Sequence, residues 1–457
     1  MRFIRPVSAL FFAPWLLLSA CGGGEATGTG GGTGTTGSTG GTGGGMELPP
    51  ERPADPAASN PAFGVAGVPR YVLAGDALTP ATPSFELRVT APAGVSKVDL
   101  WLDDGSVVAL TQDGADFVVT VPLEPLILGS HSLMLAERDA VTGFFKGDFI
   151  KGHALYMMIS TDWDFPDVDD RVLDHHEELH LAHPELKITH LIGPYTFTDP
   201  AVPDARRDTI VAWAKGMRDS HADEIGLHIH PRCTFVEAAG IPCLSQPSVS
   251  DPAGDPTGYT VRLGAYSRAE WNTMFAKADE IWNGIGFGKP VAFRAGAWTL
   301  EPHVAQALAD SGFVVDSSAV NWAYMEEWLG YDLYDWNMKQ WGPIGDTSQP
   351  YHPTADSLLP GGSGAPIKLL EVPDNGVMVD YWTVAEMKGI FNANWSGQAL
   401  EKPIQVSTGF HPAPTAYYDK KEFTRLDGFF TYVDQFLASK GQGPVVYIRM
   451  SDATKVW

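Results

Sequence analysis

From residue 155 to its end the chain alternates short apolar, β-branched runs with amphipathic stretches, and this alternation restricts the fold more than any other feature. The runs at 156–160, 188–192, 224–230, 291–293, 314–315, 369–372, 406–408 and 445–448 read as buried strands. Helical periodicity fills intervals at 168–183, 204–218, 268–285, 302–310 and 423–439. Repeated strand–helix units require a parallel sheet covered by helices, and about seven of them predict a distorted, closed or nearly closed (β/α)7-type barrel over 153–457. In such a barrel the functional side chains gather at the carboxyl ends of the strands.

Upstream the text changes character. Residues 62–152 alternate apolar and polar positions, as at Phe85, Leu87 and Val89 or Phe117, Val119 and Val121, with Asp104-Gly105 and Asp113-Gly114 as turns. They predict a small all-β sandwich, immunoglobulin-like by strand count. Residues 1–21 carry Arg2 and Arg5, an apolar run from Phe11 to Leu18, and then Ser19-Ala20-Cys21, which reads as a secretory signal too short to span a membrane. Its end resembles the lipobox of bacterial lipoproteins, which implies lipidation at Cys21 and an exported, membrane-anchored protein facing the periplasm or cell exterior. Residues 22–61, rich in Gly and Thr and then in Pro, read as a flexible tether.

With 31 basic against 55 acidic residues the net charge is −24, which argues against nucleic acid or anionic lipid as an electrostatic partner. Beyond Cys21 the cysteines are Cys233 and Cys243, and export permits a disulfide between them that closes a loop.

Chemically suggestive residues sit at the predicted strand ends. His228 and His230 leave one face of a strand side by side, as a divalent metal requires of a rigid edge. Asp162 and Asp164 follow the first strand, Arg294 ends Val291-Ala-Phe-Arg294, Asp316 ends Phe313-Val-Val-Asp316, and His411 ends Ser407-Thr-Gly-Phe-His411. Each residue singly has an ordinary structural use, such as helix capping or an ion pair. Five sets at equivalent ends point to one site.

Laid on these motifs, the region from about 155 to 450 resembles the polysaccharide deacetylase family, the NodB-homology or carbohydrate esterase family 4 proteins. The resemblance implies a general base at Asp162, a metal site at Asp164, His228 and His230, an arginine at Arg294 paired with the base, an aromatic groove wall at Trp298, a supporting carboxylate at Asp316, and a general acid at His411. Two spacings differ from the family's usual form: Trp163 separates the aspartates, and the histidines are written His-x-His. Zn²⁺ or a similar divalent ion is the implied cofactor and an acetylated glycan the implied substrate.

The resemblance implies hydrolysis of a non-peptide carbon–nitrogen bond, and the residues make a coherent mechanism for it. Asp162 takes a proton from attacking water, His411 protonates the departing amine, and Arg294 keeps Asp162 ionised and aimed. Sugar rings offer apolar faces to aromatic side chains, so Trp163, Trp298 and Trp322 are expected against the substrate. The segment 322–341, dense in Trp and Tyr, reads as an irregular insertion beside the groove.

Two rival readings remain open. His176-Glu177-Glu178-Leu179-His180 satisfies the His-Glu-x-x-His pattern of zinc metalloproteases on a predicted helix, although the strand–helix repetition is foreign to such proteases and a helix face exposed to water accounts for the residues adequately. A catalytically inactive, glycan-binding lipoprotein would keep the aromatic groove without the metal.

Overall fold

The computed structural model describes residues 51–457 apart from Asp104, Glu326, Glu327 and Val377. The signal segment, Cys21 and most of the expected tether lie outside the described residues. The far end of that tether is not free, since Ala54 N–H donates to Val141 O (2.9 Å) and Asn60 N–H to Phe144 O (2.8 Å). Among the described residues no helix is long and apolar enough to cross a membrane.

Nine short strands come first: β1 (Gly64–Ala66), β2 (Tyr71–Leu73), β3 (Ser84–Thr90), β4 (Val98–Leu102), β5 (Ser106–Ala109), β6 (Thr111–Asp113), β7 (Asp116–Pro122), β8 (Gly129–Glu137) and β9 (Phe145–Gly152). They form two sheets, ordered β1-β3-β7-β6 and β2-β9-β8-β4-β5. Leu87 and Val89 of β3 and Phe117 and Val121 of β7 meet Leu100, Leu133, Leu135 and Phe149 of the other sheet in one core. Alternation places these residues inward while Glu86, Arg88 and Thr120 face solvent.

Eight parallel strands follow: β10 (Leu155–Asp162), β11 (Ile188–Ile192), β12 (Glu224–Ile229), β13 (Ala292–Ala295), β14 (Val315–Asp316), β15 (Leu370–Glu371), β16 (Ile404–Phe410) and β17 (Val445–Ile448). Their order is β15-β14-β13-β12-β11-β10-β16. β16 accompanies β10 from Leu155 to Thr161. A strand has only two edges, so β17 (at 155–158) and β11 (at 159–162) divide the other. The curled sheet nearly closes where the chain leaving β15 meets β16: Gly376 N–H donates to Ser407 O (2.7 Å) and Ser407 N–H to Asn375 Oδ1 (2.9 Å).

Side-chain parity explains the layers. Leu155, Met157 and Ile159 of β10 pack outward under the helices, whereas Tyr156 and Met158 join Leu191, Ala292, Val315, Leu370 and Ile448 inside the barrel. Continuing by two, Ser160 and Asp162 also face inward.

The β domain closes the barrel's amino end. The Tyr156 hydroxyl, at the start of β10, bonds to the Asp76 carboxylate (2.8 Å), the Tyr71 hydroxyl donates to His153 O (2.9 Å), and Tyr71 N–H donates to Gly441 O (3.1 Å). The opposite, carboxyl end is left open.

Candidate metal centre and active site

At that open end β12 runs out with His228, and His230 follows two residues later on the same face; the rings are 5.0 Å apart. Each ring is oriented from behind. His228 Nδ1–H donates to Arg294 O (3.0 Å) and His230 Nδ1–H to Tyr259 O (2.6 Å). With Nδ1 protonated, the Nε2 lone pairs turn to the barrel mouth. There Asp164 Oδ1 lies 3.0 Å from His228 Nε2 and 3.2 Å from His230 Nε2. Ligand atoms of the three residues lie within 4.8 Å of one another, and among the described residues no other group of three His, Cys, Asp or Glu does so. Two imidazole nitrogens and a carboxylate oxygen converging on one point form a group that could hold a metal ion. The donor set of two imidazoles and one carboxylate suits a divalent ion with positions left for water and substrate.

Electrostatics agree. Burial opposes ionisation of Asp164, but the adjoining His230, His411 and His228 rings hold its carboxyl well below the usual carboxylate range. Burial likewise pushes His230 below its usual value, against the pull of Asp164, which favours the neutral ring that a metal ligand needs.

Beside the cluster stands a buried ion pair. Arg294, fully enclosed, places Nη1 3.0 and 3.3 Å from the two oxygens of Asp162. Its Nε donates to Ser317 O (2.6 Å), its Nη2 to Ser317 Oγ (2.8 Å), and Asp374 lies 3.3 Å away. Burial disfavours the charged guanidinium, yet Asp162 and Asp374 raise its pKa further. A side chain at Gly409 would place its Cβ 3.0 Å from Arg294 Nη1 and 2.8 Å from Met378 Sδ, so the guanidinium occupies space that glycine leaves.

On the far wall His411 Nδ1 is 3.1 Å from Asp380 Oδ2, and Asp380 also accepts the His411 backbone N–H (3.2 Å). Burial works against protonation of His411, but Asp380, then Asp164 and Asp162, push its pKa up to about 10. Asp162, Asp164, His228, His230 and His411 share one cavity with Trp298, Trp328, Leu333, Tyr259 and Tyr381.

The placements correct several expectations. Asp316 does not touch His411; it bonds to Ser318 (2.8 Å to Oγ) and shares a buried environment with Glu371, where burial raises its pKa. Parity is the reason: Val315 faces the barrel interior and the Ser317 hydroxyl meets Arg294, so Asp316 between them points outward. The carboxylate against His411 is Asp380, which the sequence reading missed; it lies on a 3₁₀ turn, Val379–Tyr381, with no strand to announce it.

Trp163 and Trp322 are fully buried and line no part of the cavity. Trp163 packs on Trp213 (5.6 Å), donates Nε1–H to Thr161 Oγ1 (3.2 Å) and accepts from the Tyr195 hydroxyl, while Trp322 stands edge-on to Trp298 (5.4 Å). Trp298 itself does line the cavity, from a left-handed backbone at Ala297 and Trp298 (φ 51° and 55°). Nor is 322–341 irregular throughout, because Asp332–Trp341 is a helix that presents Leu333 to the cavity.

The His176–His180 pair is neither a metal site nor a solvated face. Its helix, Asp170–Ala182, buries both rings: His176 donates Nδ1–H to Val172 O (2.6 Å), and His180 Nε2 lies 2.9 Å from Asp223, which also holds His190 (2.9 Å). Cys233 and Cys243 are joined as a disulfide, as expected from the sequence.

No family model matches the chain, and no curated protein matches it. Solved structures similar to it include a family 4 carbohydrate esterase from Streptomyces lividans in complex with acetate, at 8% identity and TM-score 0.31, covering 66% of this chain and 95% of that one. A family 4 acetyl xylan esterase from Clostridium thermocellum in complex with a cobalt ion matches at 12% identity and TM-score 0.29, covering 65% and 89%. A 4-alpha-glucanotransferase from Thermococcus litoralis matches at 10% identity and TM-score 0.39, covering 67% and 41%. Likeness at this level carries no conclusion about the reaction, which has to rest on the site.

Proposed function

We propose that the chain is a metal-dependent hydrolase of the polysaccharide deacetylase family that removes N-acetyl groups from an acetylated glycan. The observation that carries this reading is the convergence at one barrel mouth of three groups: the Asp164–His228–His230 cluster, an Arg294-paired Asp162, and an Asp380-paired His411. When bound, a divalent ion supplies Lewis-acid chemistry, making water more acidic and polarising an acyl carbonyl. Asp164, His228 and His230 would hold that ion.

The remaining steps belong to the chain's own side chains. Asp162 accepts a proton from the attacking water, and the paired Arg294 guanidinium fixes that carboxylate in place. His411, kept protonated by Asp380, delivers a proton to the departing nitrogen. Trp298, Trp328, Leu333 and Tyr381 provide apolar walls suited to a methyl group and a sugar face. We further infer that Cys21 is lipidated and that residues 22–50 tether the enzyme at the cell envelope.

The test is acetate release from N-acetylated oligosaccharides by the fragment from Glu51 onward loaded with Zn²⁺, with peptide-bond cleavage assayed in parallel. The expected outcome is acetate release that is lost in His228→Ala/His230→Ala and retained in His176→Ala. Peptide cleavage lost in His176→Ala would establish the protease reading. Stoichiometric metal with no acetate released from any acylated glycan would leave a binding protein.

A further inference from the structure

One residue outside every motif touches the ion cluster three times. Tyr259 donates its hydroxyl to Asp164 Oδ2 (2.7 Å), offers its backbone carbonyl to His230 Nδ1–H (2.6 Å), and lays its ring against the His230 ring (4.3 Å between centroids). Asp164 Oδ2 is thereby occupied, and Oδ1 is the oxygen that faces His228 and His230.

The loop that delivers Tyr259 is built for this. Gly258 (φ +77°) lies so close to Pro231 O that any Cβ there would collide, which brings the following carbonyl against His230. Asp255 accepts four hydrogen bonds, from the N–H and hydroxyl of Thr257 (2.8 and 2.7 Å) and of Thr260 (2.8 and 2.9 Å). Cys233 N–H donates to Thr257 O (2.9 Å), which ties the loop to the disulfide. Arg232 lies over the Tyr259 ring (4.3 Å) and donates Nη2–H to Asp164 O (2.9 Å), clamping ring and ligand together.

We propose that Tyr259 is a positioning residue of the cation site, which reserves Asp164 Oδ2 so that the carboxylate presents one oxygen to the ion and the remaining positions stay open to water and substrate. The proposal rests on the reading of Asp164, His228 and His230 as a metal site.

The test is Co²⁺ titration of the metal-free protein, reading both the binding isotherm and the visible d–d absorption, which reports coordination number. Tyr259→Phe keeps the ring against His230 and Arg232 and the backbone carbonyl, so its metal-free melting temperature is expected to match wild type. Its Co²⁺ affinity is expected to fall roughly 10- to 100-fold, as when other outer hydrogen bonds to a metal ligand are lost, with a changed absorption spectrum. Asp255→Ala frees the loop without touching any ligand and is expected to weaken Co²⁺ binding in the same direction by a smaller factor; it decides the matter if Tyr259→Phe does not fold. Wild-type affinity and spectrum in Tyr259→Phe, or in Asp255→Ala where the first variant is unfolded, overturn the proposal. Wild type and His228→Ala/His230→Ala both failing to bind Co²⁺ would instead remove the metal-site reading on which it rests.

Discussion

Replacing Asp380 with Asn removes a charge while keeping the shape of the group behind His411. The contact is a 3.1 Å approach of Asp380 Oδ2 to His411 Nδ1, with side chains 17% and 16% exposed. A hydrogen bond between charged partners contributes about 1.5–3 kcal/mol, and one pKa unit corresponds to about 1.4 kcal/mol. The His411 pKa, which burial lowers and Asp380 raises most toward its value of about 10, is therefore expected to fall by roughly one to two units in Asp380→Asn. The sign has two consequences. In the metal-free protein the folded pKa of about 10 exceeds the ordinary imidazole value of 6.5, so His411 contributes stability fully below pH 6.5 and loses it as pH rises toward 10. That decline should be shallower in the variant. On the proposed reading, in which the protonated His411 imidazole gives up the proton, the basic limb of kcat/KM should also move to lower pH in the variant. NMR titration of the His411 ring and the pH–rate profile read the two effects. A His411 titration that does not move in Asp380→Asn would refute the assignment of Asp380 as its orienting carboxylate.

Other perturbations test the remaining parts. Arg294→Met leaves Asp162 and Asp374 buried without their cation and is expected to cost about 3–5 kcal/mol in chemical denaturation. Arg294→Lys should fold better yet lose kcat more than KM, because an ammonium cannot reach Asp162 and Ser317 together. Gly409→Ala drives a methyl against Arg294 Nη1 and Met378 and should destabilise by about 1–3 kcal/mol while lowering kcat at full metal occupancy. His180→Ala strips Asp223 of one buried partner and is expected to lower the melting temperature with bound metal per chain unchanged, as read by elemental analysis. Cys233→Ser/Cys243→Ser opens a short loop and should cost about 3 kcal/mol, with weaker Co²⁺ binding because Tyr259 is less firmly held.

The sequence by itself carried the curled parallel sheet and the Asp164–His228–His230 cluster, and the reason is periodicity. A parallel strand buried on both faces writes a continuous apolar run, and polar residues at its carboxyl end have few other places to be. His228 and His230 were legible because i and i+2 on a strand share a face whatever lies around them. Asp162 and Arg294 were legible for the same reason: each ends a run and faces inward.

Only the tertiary structure decided which groups support them. Asp316 ends a strand as Arg294 does, but one position of parity turns it away from the mouth, and a two-residue strand is too short for its phase to be read from text. Asp380 and Tyr259 reach the site from a turn and a loop, where no period fixes a side chain's direction. Trp163 and Trp322 carry the composition of a sugar platform, yet burial was settled by what packs over them, Trp213 and Trp298. The His176–His180 spacing satisfied a metal motif on its helix, but the elements packed against that helix gave His180 to Asp223 and enclosed His176 among Trp213, Phe410 and Phe423. Local pattern determines which residues share a face; long-range packing determines what that face meets.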